Sequence, residues 1–333
     1  MLDDRRAAIL QAVVEGYIET AQPVGSGHVA RRGTVAVSPA TVRNEMAALE
    51  QEGYLTQPHT SAGRIPTDLG YRFYVDHLSS PGNLEAAERQ RVSSFFASAH
   101  GAIEDMLTST TRLLSDLTQH AAVVVGPPHE QARIRSVQVV GLTGHAVMVV
   151  AVLSNGVVEK AVIEVPDDVG DERLGAATAH LSANLVGGTL AGLTGPVTTG
   201  DGVLDAVCTS AVAALNLAHG GELDNVYVGG ASRMASAFEA VTTVRRVLAT
   251  LEQQYVVVGL LRDVVDRGLS VSIGTEHGVE PLAECSVVVA PYEVDGELAG
   301  SIGVLGPTRM NYPQALAAVA VVSQRLGRRL TEG

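Results

Sequence analysis

Residues 38–66 read SPATVRNEMAALEQEGYLTQPHTSAGRIP, and the fold of the N-terminal part turns on them. Ser38 followed by Pro39 is a helix start. A serine hydroxyl can accept from a free backbone N–H, and proline at the first helical position gives up an N–H that lacks a partner there. About four turns of helix follow, closed by Gly53 where a left-handed cap belongs. Val42, Met46 and Leu49 fall at i, i+4, i+7, the spacing of a buried stripe. Thr41, Arg43, Asn44 and Ala48 occupy the opposite face and leave it free to enter a groove. A short strand over residues 54–57, a turn-rich segment and a returning strand at Arg64-Ile65 complete the pattern. It is the pattern of a recognition helix with a β-wing.

The flanking residues fit that plan. Residues 3–20 form a helix with a wide apolar face that includes Ile9, Leu10, Val13, Val14, Tyr17 and Ile18. Pro23, Gly25 and Ser26 break it; Ser26 can cap a short helix through Arg32, which Gly33 ends. Thr67 can cap one further helix over residues 68–78, with Leu69, Phe73 and Leu78 expected to point inward. Three helices and a wing make a winged helix-turn-helix.

The chain has 333 residues and a net charge of −13, an awkward balance for a protein expected to meet DNA. Residues 1–80 hold seven Arg and no Lys against nine carboxylates, so a bulk basic footprint is absent. Any DNA affinity must come from local geometry. Arg31, Arg32, Arg43, Arg64 and Arg72 could form a patch with Glu15, Glu19, Glu50 and Glu52 turned away, while the acidic remainder confines DNA to the N-terminal unit. Cys208 and Cys285 are lone thiols without metal-ligand spacing, which suits the cytoplasm and argues against a disulfide framework or a zinc site. The N-terminus lacks a signal-peptide pattern, and no run approaches the roughly 18 apolar residues of a membrane span. No cofactor, metal site or enzymatic constellation is expected.

Beyond the linker signal Ser79-Ser80-Pro81-Gly82, helices are expected over 84–99 and 102–120. Strands follow at 137–140, 146–153 and 157–165, with Asn155-Gly156 as a hairpin turn. Residues 166–222 are rich in Gly and Ala and contain no Phe, Tyr or Trp; helices over 171–186 and 202–217 are expected there. Strand texture returns at 225–228, 256–261, 269–273, 286–290 and 298–305, and a helix over 313–329 ends the chain. Gly229-Gly230 lacks the Lys and further Gly of a phosphate loop and reads as a tight strand-to-helix turn. Glu276-His277 reads as support for a turn.

PVGS (23–26), SPATVRNEM (38–46), QPHTSAGRIPT (57–67) and GYRFYVD (70–76) closely resemble the HrcA family of heat-inducible transcription repressors, as do SIGTEHGVEPLAECSVVVAPY (272–292) and SIGVLGPTRMNYPQAL (301–316). One departure is the missing Pro in a Pro-Glu-Phe-like run near Phe238-Glu239. The resemblance implies an α+β chain in which a winged helix-turn-helix (1–80) joins a GAF-like αβ domain (81–150 and 223–333). An inserted dimerising domain would occupy 151–222. It further implies a homodimer on double-stranded DNA, at the CIRCE inverted repeat upstream of chaperone operons, kept active by the GroE chaperonin. An alternative by analogy of fold is a metabolite-sensing regulator with its ligand in the GAF-like domain.

Within this reading Arg43 and Asn44 are the expected base contacts, since Arg pairs with guanine O6/N7 and Asn with adenine N6/N7. Thr41 could meet a thymine methyl or a phosphate. Ser38 and Ser26 could add phosphate contacts to their capping roles. The wing offers His59, Thr60, Ser61 and Arg64 to the backbone or minor groove, with Gly63 for tight turning. The plain alternative for these residues is a solvated helix face and a solvated hairpin.

Overall fold

A computed structural model describes residues 2–32, 37–60, 62–78, 82–99, 103–127, 132–143, 145–154, 157–165, 169–190, 193, 198–218, 226–238, 241–253, 256, 259–260 and 268–332. Helix α1 (Asp4–Thr20) starts at Asp3, whose carboxylate accepts from the Arg6 N–H at 2.8 Å, and buries Ile9, Leu10, Ala12, Val13 and Val14. Helix α2 (Ser26–Arg31) is capped by Gly25, so Ser26 is its first residue rather than its cap, a correction to the sequence reading. Helix α3 (Pro39–Gln51) follows the expected rules at both ends. Ser38 accepts from the Thr41 N–H at 3.2 Å. At the other end Tyr54 N–H reaches Leu49 O and Gly53 N–H reaches Glu50 O, with Gly53 at φ +83°. That is a Schellman cap, and only glycine adopts its backbone without strain. Val42, Met46 and Leu49 are buried as expected.

Strands β1 (Leu55–Thr56) and β2 (Ile65–Pro66) pair antiparallel, and a single bridge that the sequence did not announce sets Val24 beside Arg64. Val24 and Arg64 exchange two backbone hydrogen bonds of 2.9 Å each. A Cβ on Gly63 would fall 2.4 Å from Val24 O, so this glycine permits close approach of two backbones and is not there for a turn. Thr67 caps α4 (Asp68–Asp76). The buried residues of α4 are Gly70, Tyr71 and Tyr74, whereas Leu69 is 47% exposed, contrary to expectation.

Helices α5 (Ala86–Ser98) and α6 (Ile103–Thr118) lead into a five-stranded antiparallel sheet of β3 (Ala121–Val125), β7 (Val226–Gly229), β8 (Ser270–Ile273), β9 (Cys285–Val294) and β10 (Glu297–Pro307), in the order β7-β3-β10-β9-β8. The C-terminal helix Tyr312–Glu332 and α6 cover one face; α9 (Ala231–Ala237) and α10 (Val241–Glu252) cover the other. Among the described residues of the strand expected at 256–261, Val256, Gly259 and Leu260 are helical instead, and Leu260 packs in the same core cluster as α10. A buried apolar run reads alike as helix or strand, which explains the misreading. Gly229-Gly230 is the tight turn expected, with Gly230 at φ +70°.

Between the neighbouring strands β3 and β7 lies a separate body. Strands β4 (Ile134–Thr143), β5 (Ala146–Leu153) and β6 (Val158–Glu164) form their own sheet, backed by α7 (Asp171–Leu185) and α8 (Gly202–Ala218). Its core runs from Ala132 to Leu215 and includes Val149, Leu153, Leu181 and Cys208. Residue 151, expected as the start of the insert, falls inside β5, and the sheet that β5 belongs to begins with β4. The N-terminal unit has no such independence. One hydrophobic cluster joins Ile9, Leu49 and Tyr71 to Val288, Tyr312 and Val319. Gly33, residues 79–81 of the expected linker, Asn155-Gly156 and Glu239 lie outside the described residues.

Candidate nucleic-acid interface

Arg43 and Asn44 are both exposed on α3, opposite its buried stripe, and Thr41 is half-buried beside them. A −2 unit can present this face as cationic because the carboxylates of α3 and its cap are already engaged. Glu45 is held by Arg5 at 3.0 Å and Arg6 at 2.9 Å, and Glu52 by Arg6 at 2.8 Å. Glu50 pairs with Arg64 at 2.9 Å, and Glu19 with Arg32. Every carboxylate of α3 and its cap is thus neutralised from α1 or the wing, not turned away into solvent as the sequence suggested. Glu45 holds the Arg6 guanidinium above its ordinary pKa despite the opposing desolvation, with Glu52 and Asp3 adding to the effect.

The same pairings shrink the expected arginine patch. Arg32 and Arg64 are committed to Glu19 and Glu50, and Arg72 to Glu276 and Asp76. Arg31 and Arg43 remain exposed, and neither enters an ion pair among the described residues. Arg64, expected as a wing contact, also has a structural engagement. Its side chain is 17% exposed and tied to the recognition helix, while its backbone makes the bridge to Val24.

The wing tip is braced from within. The Gln57 amide donates to Thr60 O at 3.1 Å and to Ala62 O at 2.9 Å, so one side chain holds both sides of the tip. His59 and Thr60 stand exposed on it, and Ser61 lies outside the described residues. Ser38 is exposed, and its Oγ also lies 3.0 Å from Thr41 Oγ1. Ser26 is half-buried in the first turn of α2. The sequence reading missed Gln57, Arg5 and Arg6, and gave Gly63 the role of a turn residue. A polar side chain at the foot of a turn hinted at Gln57; the ion pairs from α1 to α3 left no local signal.

Away from this face, two titratable groups have structural roles. Burial pushes the Cys285 thiol up to about 12, which leaves it inert. His277 Nδ1 accepts from Val279 N–H at 3.3 Å, so its Nε2 donates to Leu282 O at 3.1 Å and braces a turn. No helix among the described residues is long and apolar enough to cross a membrane.

Comparison with known proteins bears on the chain as a whole. The profile of the HrcA protein C terminal domain matches residues 104–316. The heat-inducible transcription repressor HrcA of Pseudarthrobacter chlorophenolicus is 40% identical over 98% of this chain and 99% of its own length. That of Moorella thermoacetica is 37% identical over 99% of this chain and 98% of its own. The crystal structure of a hypothetical protein at 2.2 Å resolution shares the fold with a TM-score of 0.69 and 23% identity, covering 100% of this chain and 99% of that one. By these full-length similarities the chain belongs to the HrcA family of heat-inducible transcription repressors.

Proposed function

We propose that the chain represses transcription by binding, as a homodimer, an inverted repeat of the CIRCE kind upstream of chaperone operons. The observation that carries this reading is the paired state of the α3 carboxylates, which leaves Arg43 and Asn44 exposed beside a braced wing. Two such helices would enter successive major grooves of an operator with matching two-fold symmetry. Arg43 and Asn44 read bases. Thr41, Ser38, Ser26, His59, Thr60 and Ser61 fix the register on the backbone.

The body between β3 and β7 supplies the dimer contact in this reading. Its helices cover one face of the β4-β5-β6 sheet. On the other face Val140, Met148 and Val162 stand in register across the three strands, with Val140 40% and Val162 62% exposed. An apolar strip of this kind on a sheet invites an identical strip. With that body set aside, the remaining sheet runs 2-1-5-4-3 along the chain, which supports a GAF-like assignment. The GroE chaperonin would maintain the binding-competent form, so heat, by occupying the chaperonin, would release repression. Among the described residues Met234, Val247, Leu251, Leu260 and Leu282 fill the sheet face beneath α9 and α10, which lends the metabolite-sensing alternative no support.

Fluorescence anisotropy of a labelled inverted repeat against a scrambled duplex, with and without chaperonin, tests the proposal. Arg43→Ala should lose about 1–3 kcal/mol on the repeat and relax one base preference. Equal, steeply salt-dependent binding to both duplexes would overturn it.

A further inference from the structure

Helix α4 carries Asp68 and Arg72 one turn apart, and both reach the 3-10 turn Gly274–His277 about two hundred residues along the chain. Arg72 Nε donates to Glu276 Oε1 at 2.9 Å and a second guanidinium nitrogen to Glu276 Oε2, a two-bonded fork. A further Arg72 bond runs to Val271 O at 2.7 Å. Asp68 Oδ2 accepts from both the N–H and the hydroxyl of Thr275, at 3.1 Å each. Gly274 sits at φ +55°, and a Cβ there would lie 2.3 Å from the Asp68 carboxylate, so only glycine lets α4 seat this closely. Underneath, the rings of Tyr71 and Tyr312 meet at 6.0 Å.

We propose that Asp68 and Arg72 are positioning residues for operator binding: their joint with Thr275 and Glu276 sets the angle at which the winged helix stands on the C-terminal body. The inference rests on the inverted-repeat reading above. In a dimer held through the body between β3 and β7, each recognition helix is connected to its twin through this joint. Half-sites a whole number of helical turns apart, about 34–36 Å per turn, are engaged together only if both joints hold the same angle. A joint that swivels leaves each winged helix able to bind its half-site and removes the gain from binding the second within the same molecule.

The test uses the full chain with Arg72→Gln, and with Glu276→Gln as a milder change that keeps the acceptor for the Ile273 N–H, now at 2.8 Å. Affinity is measured for an isolated half-site, for the full repeat, and for repeats whose spacer is changed by half a turn, about 5 base pairs. Thermal melting establishes that each variant is folded. Half-site affinity should stay within about twofold of the parent, full-repeat affinity should fall by about tenfold or more, and the spacing preference should flatten. Equal losses on half-site and full repeat would make these residues DNA contacts or parts of the domain core and overturn the proposal. So would variants that keep the parent's preference for one spacing. If the unmodified chain did not distinguish the repeat from a scrambled duplex, the operator reading would fail first.

Discussion

Replacing Arg64 with alanine separates two roles that the sequence could not distinguish. As a phosphate contact, Arg64 would contribute to operator affinity and little to the fold. As a strut, it joins the wing to the recognition helix through Glu50 at 2.9 Å, with the two side chains 17% and 34% exposed. Fully exposed pairs contribute about 0–1 kcal/mol, and breaking a buried one costs about 3–5 kcal/mol. This half-shielded pair lies between, so Arg64→Ala should destabilise by about 1–2 kcal/mol, part of it from lost packing of the aliphatic stem. The backbone bonds to Val24 need no side chain and should survive. Chemical denaturation gives the stability change, and anisotropy at several salt concentrations gives the DNA term. A lost phosphate contact lowers the slope of log affinity against log salt by about 0.9, whereas a lost strut weakens binding at unchanged slope. Glu50→Gln should reproduce the loss, and the double variant should be clearly less than additive. A slope lower by about one unit with unaltered stability, or Glu50→Gln that tightens DNA binding, would refute the strut.

Two further outcomes test the fold. Gly230→Ala would place a Cβ 1.8 Å from Ser115 Oγ at φ +70°, and should cost roughly 3 kcal/mol or more in denaturant melts. Gly278→Ala, at φ +72° with open space around it, should cost only about 1–2 kcal/mol, and equal losses would discredit the packing argument. Burial lowers the His120 imidazole to about 4 against the opposing bond at Gln119, and Nδ1 has no partner among the described residues. Its folded value lies below its unfolded one, so this contribution is full above about pH 6.5 and is lost as pH falls toward 4, by roughly 3 kcal/mol in all. Unfolding free energies at pH 7 and 5 should differ by about 2 kcal/mol through this group, and His120→Leu should remove that difference.

The local sequence determined the recognition helix almost completely. Ser38, Pro39, the Val42-Met46-Leu49 stripe and Gly53 act within a turn or two of chain, through capping, periodicity and backbone freedom, and each is found in its expected role. The exposed positions of Arg43 and Asn44 follow from that stripe alone. Tertiary structure decided which charges are free. Arg64 and Arg72 read identically to Arg31 and Arg43 until Glu50 and Glu276 are brought to them, the latter from 204 residues away. The limits of the inserted body were equally hidden, because a strand carries no mark of the sheet it will join. So was the welding of the winged helix to the C-terminal body, where a Ser-Ser-Pro-Gly linker suggested independence. Caps and stripes are local interactions and can be read from neighbours in sequence. Ion pairs, sheet partners and shared cores depend on distances that exist only after the chain has folded.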